Sequence, residues 1–282
     1  MEKFITKLKR NLDSKNSHVC VGLDSQYGKL PAFIKEGKSI SEAVFEFNKN
    51  IIDVTHDIAV IYKMNTSFYA GYGAEGMEGL RLTNEYIKNN YPDILTLADC
   101  KRSEMGESVK MVAGELFGWL GFDCVMVTPW FGVDTIRDYM EDDTKGVVVY
   151  IHDSNPSAIE IQDLELADGR KVYEEVARLV ATDWNLNGNL WAEAGATYPE
   201  QLKKSREIIG DDMPLLVAGV GAQGGQPEVL KGLFGSNGKR LMVNSSRGII
   251  FASQADNAEQ YFSEVRQAAS DLQNTLLQMS QL

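Results

Sequence analysis

Short apolar runs alternate with longer stretches of helical periodicity along most of this chain of 282 residues. Runs that are apolar on both alternating faces are typical of strands buried on both sides, as in a parallel sheet. The predicted strands cover His18–Asp24, Ile58–Lys63, the end of Tyr91–Ala98, Phe122–Val127, Lys145–Ile151, Leu190–Ala194, Pro214–Val217 and Arg240–Asn244.

Between these strands, apolar residues recur at the spacing of one helix face. The predicted helices cover Met1–Asn11, Ser39–Thr55, Met77–Asn90, Gly106–Leu120, a segment from about Val133, Lys171–Asn185, Pro199–Ile209 and about Asn257–Leu276. Ser41 is a candidate cap for the second helix. A long polar loop is predicted over His152–Gly169.

Eight strands that alternate with helices favour the α/β class and a (β/α)8 TIM barrel. A doubly wound open sheet is the alternative, because alternation by itself does not close a sheet. No low-complexity linker interrupts the pattern. We therefore expect one domain over residues 1–282, with an N-terminal helix and a C-terminal helix or tail after about residue 253.

Composition and charge narrow the class of partner. The net charge of −12 argues against general binding to nucleic acid or to an anionic membrane surface. Met1–Leu12 lacks a signal-peptide core, and no apolar run reaches the length of a membrane span. We therefore expect a cytoplasmic protein with a small-molecule ligand. The cysteines, which are Cys20, Cys100 and Cys124, are predicted to be buried free thiols without zinc-type spacing.

Polar residues follow the predicted strands at the point where each strand ends. Carboxyl ends of barrel strands meet on one face, where active sites of this fold are built. Asp99 and Lys101 should also point to the same side, because side chains alternate along a strand. The strand-end residues are Asp24, Lys63, Asp99, Lys101, Ser154, Gln223 and Arg247.

Lys63, Asp99, Lys101 and Glu104 form an array of alternating charge. Such an array suits electrostatic stabilisation of a developing charge, or proton transfer from a lysine to a carbanion. A salt-bridge network that only closes the barrel mouth is the structural alternative. A divalent metal held by Asp24, Asp99 and Glu104 is another, although the neighbouring lysines oppose it.

The loops after the last two strands have the composition of a phosphate site. Gly219–Gly225 would let the backbone approach an anion closely, and Arg247 could bind two phosphate oxygens. This is the usual phosphate position of the barrel. The glycine pattern of a dinucleotide-binding fold does not follow any early strand.

In combination, these motifs resemble the orotidine 5'-phosphate decarboxylase family, in particular its longer bacterial type. The resemblance covers roughly Phe4–Ser253. The motifs that carry it are Asp99-x-Lys101-x-x-Glu104, Lys63, Ser154-Asn155-Pro156, Gly219–Gly225, Asn244–Ile249, Val21–Asp24, Gln162–Leu164 and Gly195–Pro199.

The resemblance implies decarboxylation of orotidine 5'-phosphate to uridine 5'-phosphate (UMP) in pyrimidine biosynthesis, with no cofactor and no metal. Asp99 would crowd and repel the substrate carboxylate, and Lys101 would stabilise and protonate the C6 carbanion. Lys63 would hold the array and the ribose, and Asp24 would bind a ribose hydroxyl.

Further roles follow from the same resemblance. Ser154 would contact the pyrimidine edge, and Gln223 and Arg247 would grip the phosphate. Glu104 and Ser108 would serve the neighbouring site of a homodimer. The loop after the fifth strand would close over the base, using phosphate-binding energy to assemble the site.

The chain departs from the family pattern at several positions. Glu104 stands where Asp is usual, and a displacement of about 1 Å can cost about 100-fold in rate. The other departures are Met64 and Ala218 for Pro, Ala70 for Glu, and His152-Asp153 for Arg-Thr. These differences leave two alternatives: a divergent Mg-dependent sugar-phosphate keto-acid decarboxylase or aldolase, and a non-catalytic nucleotide-binding protein.

Overall fold

Eight parallel strands close into a barrel in which every strand pairs with its neighbours in chain order. The structure is a computed structural model, and it describes residues 2–220 and 225–281. Closure between the first and last strands confirms the TIM barrel and excludes the open sheet. The strands are β1 Val19–Gly22, β2 Ile61–Asn65, β3 Leu95–Asp99, β4 Cys124–Val127, β5 Gly146–His152, β6 Leu190–Gly195, β7 Leu215–Ala218 and β8 Leu241–Ser245.

Helices surround this barrel in the order that the sequence predicts, with short additional turns between them. The helices are α1 Phe4–Ser14, α2 Ala32–Lys35, α3 Ile40–Thr55, α4 Thr66–Ala70, α5 Gly73–Asn90, α6 Glu107–Ala113, α7 Asp134–Met140, α8 Ile159–Gln162, α9 Val172–Ala181, α10 Pro199–Ile209, α11 Arg247–Ile250 and α12 Ala258–Ser280. No helix within residues 2–220 and 225–281 is long and apolar enough to cross a membrane.

The amino-terminal end of the barrel is closed by α1. Its residues Phe4, Leu8 and Leu12 are buried against the side chains that fill the barrel interior. The Phe4 ring lies 6.2 Å from the Trp191 ring. Gly146 begins β5 here because a Cβ atom at this position would lie 2.3 Å from the Phe4 ring. The predicted N-terminal helix is confirmed, and the structure shows that it covers this end of the barrel.

Several element boundaries differ from the predicted ones for local reasons. The cap of α3 is Ser39, which accepts a hydrogen bond from the Glu42 amide while Glu42 accepts one from Ser39, so the prediction of Ser41 is wrong. The predicted helix over Gly106–Leu120 begins as α6 and continues as a π-helix over Gly114–Trp119. The polar loop after β5 contains the short helix α8.

Candidate active site

A cavity of about 440 Å³ opens at the carboxyl ends of the strands. Almost all of the predicted strand-end residues line it, as the barrel geometry requires. Gln223 lies outside the described residues. The predicted residues that the cavity brings together are Asp24, Lys63, Asp99, Lys101, Ser154 and Arg247.

At the floor of the cavity, one carboxylate is held between two ammonium groups. Lys63 Nζ donates to Asp99 Oδ2 at 2.8 Å, and Lys101 Nζ donates to Asp99 Oδ1 at 2.5 Å. The side chains of Lys63 and Asp99 are 5% and 4% exposed, whereas that of Lys101 is 43% exposed. Lys101 is therefore the member of this triad that a bound molecule could reach most easily.

The buried charges of this triad stabilise one another. Burial opposes ionisation of Asp99, but Lys63 and Lys101 outweigh it and hold the pKa of the carboxyl below its ordinary value. Burial also opposes the charged form of Lys63, but the carboxylates around it, Asp24 first, raise its pKa. The site therefore holds Asp99 as an anion and Lys63 as a cation.

The backbone at the end of β3 turns sharply at Lys101. This residue has a φ of +53°, and its amide donates to Met126 O on β4 at 3.0 Å. Left-handed backbone is uncommon outside glycine and concentrates at functional sites. The ammonium of Lys101 also lies 4.9 Å from the centre of the Tyr150 ring, which makes a second contact that holds it over the cavity.

Asp24 joins the array through β2. The Asn65 amide donates to Asp24 Oδ1 at 3.1 Å, and Lys63 Nζ lies 3.9 Å from the same oxygen. The side-chain amide of Asn65 lies 3.5 Å from Asp99 Oδ2. Sequence reasoning missed Asn65, although its position directly after Lys63 and Met64 at the end of β2 was a usable signal.

Glu104 and Ser108 are not among the residues that line this cavity. Both are exposed, and the Ser108 hydroxyl donates to Glu104 Oε2 at 3.2 Å. Within this chain, the predicted array of four charges is therefore reduced to Lys63, Asp99 and Lys101. The metal alternative is not supported, because no cluster of three candidate ligands occurs in residues 2–220 and 225–281.

Arg247, which follows β8, also lines the cavity. Two glycines allow close packing of the strand ends. A Cβ atom on Gly22 would lie 1.8 Å from Ser246 Oγ, and one on Gly195 would lie 2.8 Å from the Ser154 Cα atom. Glycine is therefore required at both contacts, because any Cβ atom would collide where β1 meets the turn after β8 and where β6 meets the loop after β5.

His152 connects the cavity wall to the loop that follows β5. Its Nε2 atom lies 2.9 Å from Asp163 Oδ1, and Asp163 Oδ2 accepts hydrogen bonds from Lys171 and Gln201, both at 2.9 Å. His152 is buried, and the Tyr198 ring packs against it. These contacts hold the loop against the barrel and do not involve Lys63, Asp99 or Lys101.

Sequence reasoning also missed Glu193 on β6 and Tyr150 on β5, both of which line the cavity. The signal for Glu193 was a lone carboxylate within an apolar run. The two residues are register partners on adjacent strands, so they lie side by side in the cavity wall.

The chain is a closed (β/α)8 barrel with buried charges at the carboxyl ends of its strands. This is where TIM-barrel enzymes carry their active sites, so the fold and the site define the class as a TIM-barrel enzyme. The model of the orotidine 5'-phosphate decarboxylase / HUMPS family matches residues 17–261. This chain belongs to that family, which confirms the resemblance found in the sequence.

Comparisons with individual proteins support the same family assignment. The chain is 39% identical to orotidine 5'-phosphate decarboxylase of Flavobacterium johnsoniae over 272 residues, which are 94% of this chain and 97% of the relative. It is 38% identical to that of Cellvibrio japonicus, over 91% and 93% of the two chains. The structure of OMP decarboxylase from Leishmania donovani superposes with a TM-score of 0.84 and 26% identity, covering 100% of both chains.

Proposed function

We propose that this protein decarboxylates orotidine 5'-phosphate to UMP in pyrimidine biosynthesis. The observation that carries the proposal is the ion-paired triad of Lys63, Asp99 and Lys101 in a cavity that Arg247 also lines. Relatives at 38–39% identity that cover nearly the whole chain carry the same activity in their names. The proposed reaction uses no cofactor.

The triad supplies electrostatic stabilisation. Asp99 is fixed as an anion and would face the carboxylate of the substrate, so that repulsion favours its departure as carbon dioxide. The bond from C6 to the carboxylate breaks, and its electron pair remains on C6. Lys101 stabilises this carbanion and transfers a proton to C6, after which it regains a proton from solvent. A preorganised charge of this kind needs no rearrangement during the reaction.

The remaining predicted residues would orient the nucleotide. Asp24 lies beside Lys63 and would bind a ribose hydroxyl, and Ser154 would contact the pyrimidine edge. Arg247 would bind the phosphate, and Gln223 stays a predicted partner of the same group. Because Arg247 and the triad line one cavity, binding of the phosphate would position C6 over Lys101.

We also propose that the protein is a homodimer in which Glu104 and Ser108 complete the neighbouring site. Both residues face outward and hydrogen bond to each other instead of to the triad. Large apolar side chains in the same segment of the chain are also exposed: Met105, Met111 and Trp119 are 64%, 75% and 53% exposed. Exposed apolar side chains are typical of subunit contacts where they form one patch.

Mixed dimers test the shared site. Lys101→Ala and Glu104→Ala homodimers should each have low activity. If each site takes Lys101 from one subunit and Glu104 from the other, random mixing should restore about a quarter of the wild-type sites. Mixtures with no more activity than the separate variants would contradict the shared site without affecting the assignment of the reaction.

A spectrophotometric assay tests the reaction itself. We expect the absorbance of orotidine 5'-phosphate to fall on addition of the purified protein, with or without a metal chelator. Absence of turnover by a folded protein that still binds UMP tightly would contradict the proposal and favour a nucleotide-binding role. Fractionation of cells tests the cytoplasmic location, for which three free cysteines are the supporting observation.

A further inference from the structure

One buried carboxyl of the cavity has no part in the mechanism described above. Glu193 lies on the inner face of β6, two residues after Trp191, and only 2% of it is exposed. Its register partners are Tyr150 on β5 and Leu216 on β7. Because the Lys101 ammonium lies over the Tyr150 ring, Glu193 stands next to the reacting end of the cavity.

The environment of Glu193 disfavours its charged form. Burial, followed by repulsion from Asp99, raises the pKa of its carboxyl to about 8, although Lys63 and Lys101 act in the opposite direction. Asp153 adds a further negative charge. This environment favours the neutral carboxylic acid form of Glu193, whereas Asp99, which contacts both lysines directly, is held as the anion.

Neighbouring groups on β5 and β7, and on β1 across the barrel interior, reinforce this assignment. Tyr150 on β5 and Cys20 on β1 are both neutral, because burial raises the pKa of the phenol and of the thiol. Leu216 on β7 is apolar. Asp24 contributes negative charge from the loop after β1, and its Oδ1 lies 3.9 Å from Lys63 Nζ. Oxygen Oε2 of Glu193 has no hydrogen-bond partner among the described residues.

We propose that Glu193, which lines the cavity, is a further ligand-contacting residue, present as a neutral acid that donates a hydrogen bond to the pyrimidine end of the bound nucleotide. A protonated carboxyl is a donor, whereas a carboxylate is only an acceptor. A neutral acid beside an ionised one is a recurring arrangement at sites that stabilise negative charge. The inference rests on the proposed function in that it takes the ligand to be a pyrimidine nucleotide.

Ionisation of Glu193 should weaken the binding of negatively charged ligands. Loss of the Glu193 proton removes the donor and places a second negative charge beside Asp99. Ligands whose pyrimidine is anionic should therefore bind to the protonated form and raise the proton occupancy of Glu193. UMP, whose ring is neutral, should be affected less. Affinity for the anionic ring should fall by up to about tenfold per pH unit once Glu193 ionises in the free protein.

Calorimetry of ligand binding tests the proton directly. The probe is 6-hydroxyuridine 5'-phosphate, whose ring is anionic at neutral pH. Titrations at pH 8 in two buffers of different ionisation enthalpy give the number of protons taken up. For a free carboxyl with a pKa of about 8, we expect uptake of about half a proton per site in the wild type. Glu193→Gln should lose this uptake, and Glu259→Gln, which removes an exposed carboxyl, should retain it.

A second readout does not depend on how the variant folds. The infrared C=O stretch of a protonated carboxylic acid in the wild type should persist at pH 7 and disappear as the pH rises through about 8. Equal proton uptake by wild type and folded Glu193→Gln, or absence of the protonated-acid band at pH 7, would overturn the proposal. Lack of turnover with proton uptake preserved would instead contradict the decarboxylase assignment alone.

Discussion

The two ends of the barrel interior use the same strands for opposite purposes. On β6, Trp191 and Glu193 point to the same side, and both are buried. Trp191 packs against Phe4 at the closed end, where burial of apolar area stabilises the fold. Glu193 lies at the open end among Asp99 and two lysines, where burial of charge costs stability. The comparison shows that two residues on the same side of one strand serve different purposes according to their position along the strand, one at the stabilising end and one at the chemical end.

The largest expected effect is at the open end and concerns activity. Lys101→Ala should lower kcat by at least about 1,000-fold, because it removes both the cation facing C6 and the proton donor. The fold should persist, since Lys63 still pairs with Asp99 and the Lys101 side chain is 43% exposed. Steady-state kinetics and thermal unfolding measure the two effects. Lys110→Ala, on the exposed face of α6, is the control that should retain activity.

If the kcat of Lys101→Ala lay within tenfold of the wild-type value, the open end of the barrel would not be specialised for chemistry as the comparison holds. Such a result would also show that the triad is a structural ion-pair network. The Kd of the same variant for UMP should change by a smaller factor than kcat, because the variant retains Arg247, the proposed phosphate ligand.

The next largest effect is at the closed end and concerns stability. Leu8 is fully buried beneath the barrel, so Leu8→Ala should lower the free energy of unfolding by about 2–5 kcal/mol. The kcat of the folded fraction should be unchanged, because α1 lies at the far end of the strands from the cavity. Denaturant unfolding and kinetics at low temperature measure both. The control is Thr6→Ala, because Thr6 is exposed on the face of α1 opposite Leu8.

A Leu8→Ala variant that folds with wild-type stability would mean that α1 is dispensable for closing the barrel. A loss of kcat without loss of folded protein would mean that the two ends are coupled, contrary to the comparison.

Much of this division could be predicted from the sequence, and the exceptions have physical causes. Alternation of apolar strands and helices predicts the barrel, and polar residues at strand ends predict Asp24, Lys63, Asp99 and Lys101 because parallel strands end on one face. Glu193 was missed because a lone carboxylate in an apolar run shows its direction only once the strand register is known.

The local conformations required further information. Glu104 lies outside the cavity because the chain turns at Lys101, whose positive φ no periodicity predicts. Ser39 was missed as the cap of α3 because Ser39 and Ser41 are both plausible caps, and only the reciprocal bond with Glu42 distinguishes them.

A smaller effect should appear in the pH dependence of stability. The folded pKa of Glu193 is raised from an ordinary 4.5 to about 8, so its stabilising neutral form is fully present below 4.5 and is lost as the pH rises through 8. Between pH 6 and pH 9 the wild type should lose about 2–3 kcal/mol more than Glu193→Gln. Asp99 has the opposite sign: its pKa is lowered, so its contribution is lost only in acid.

Denaturant unfolding of wild type and Glu193→Gln at several pH values measures this difference. Parallel curves for the two proteins from pH 6 to pH 9 would mean that Glu193 does not carry a proton in the folded protein at neutral pH. Glu259→Gln should follow the wild-type curve, since Glu259 is exposed.

The smallest effect should come from an exposed ion pair at the closed end. Lys9 on α1 pairs with Asp212, whose side chain is 71% exposed. Lys9→Ala should lower the free energy of unfolding by less than about 1 kcal/mol, because solvent and salt screen such pairs. Asp212 also keeps a cation nearby, since Arg240 Nε lies 3.6 Å from its other oxygen. Unfolding at low and high salt should show the difference shrinking with ionic strength, whereas the Leu8→Ala effect should not shrink. A salt-independent loss of several kcal/mol on removing Lys9 would mean that charge, and not apolar burial alone, holds α1 against the barrel.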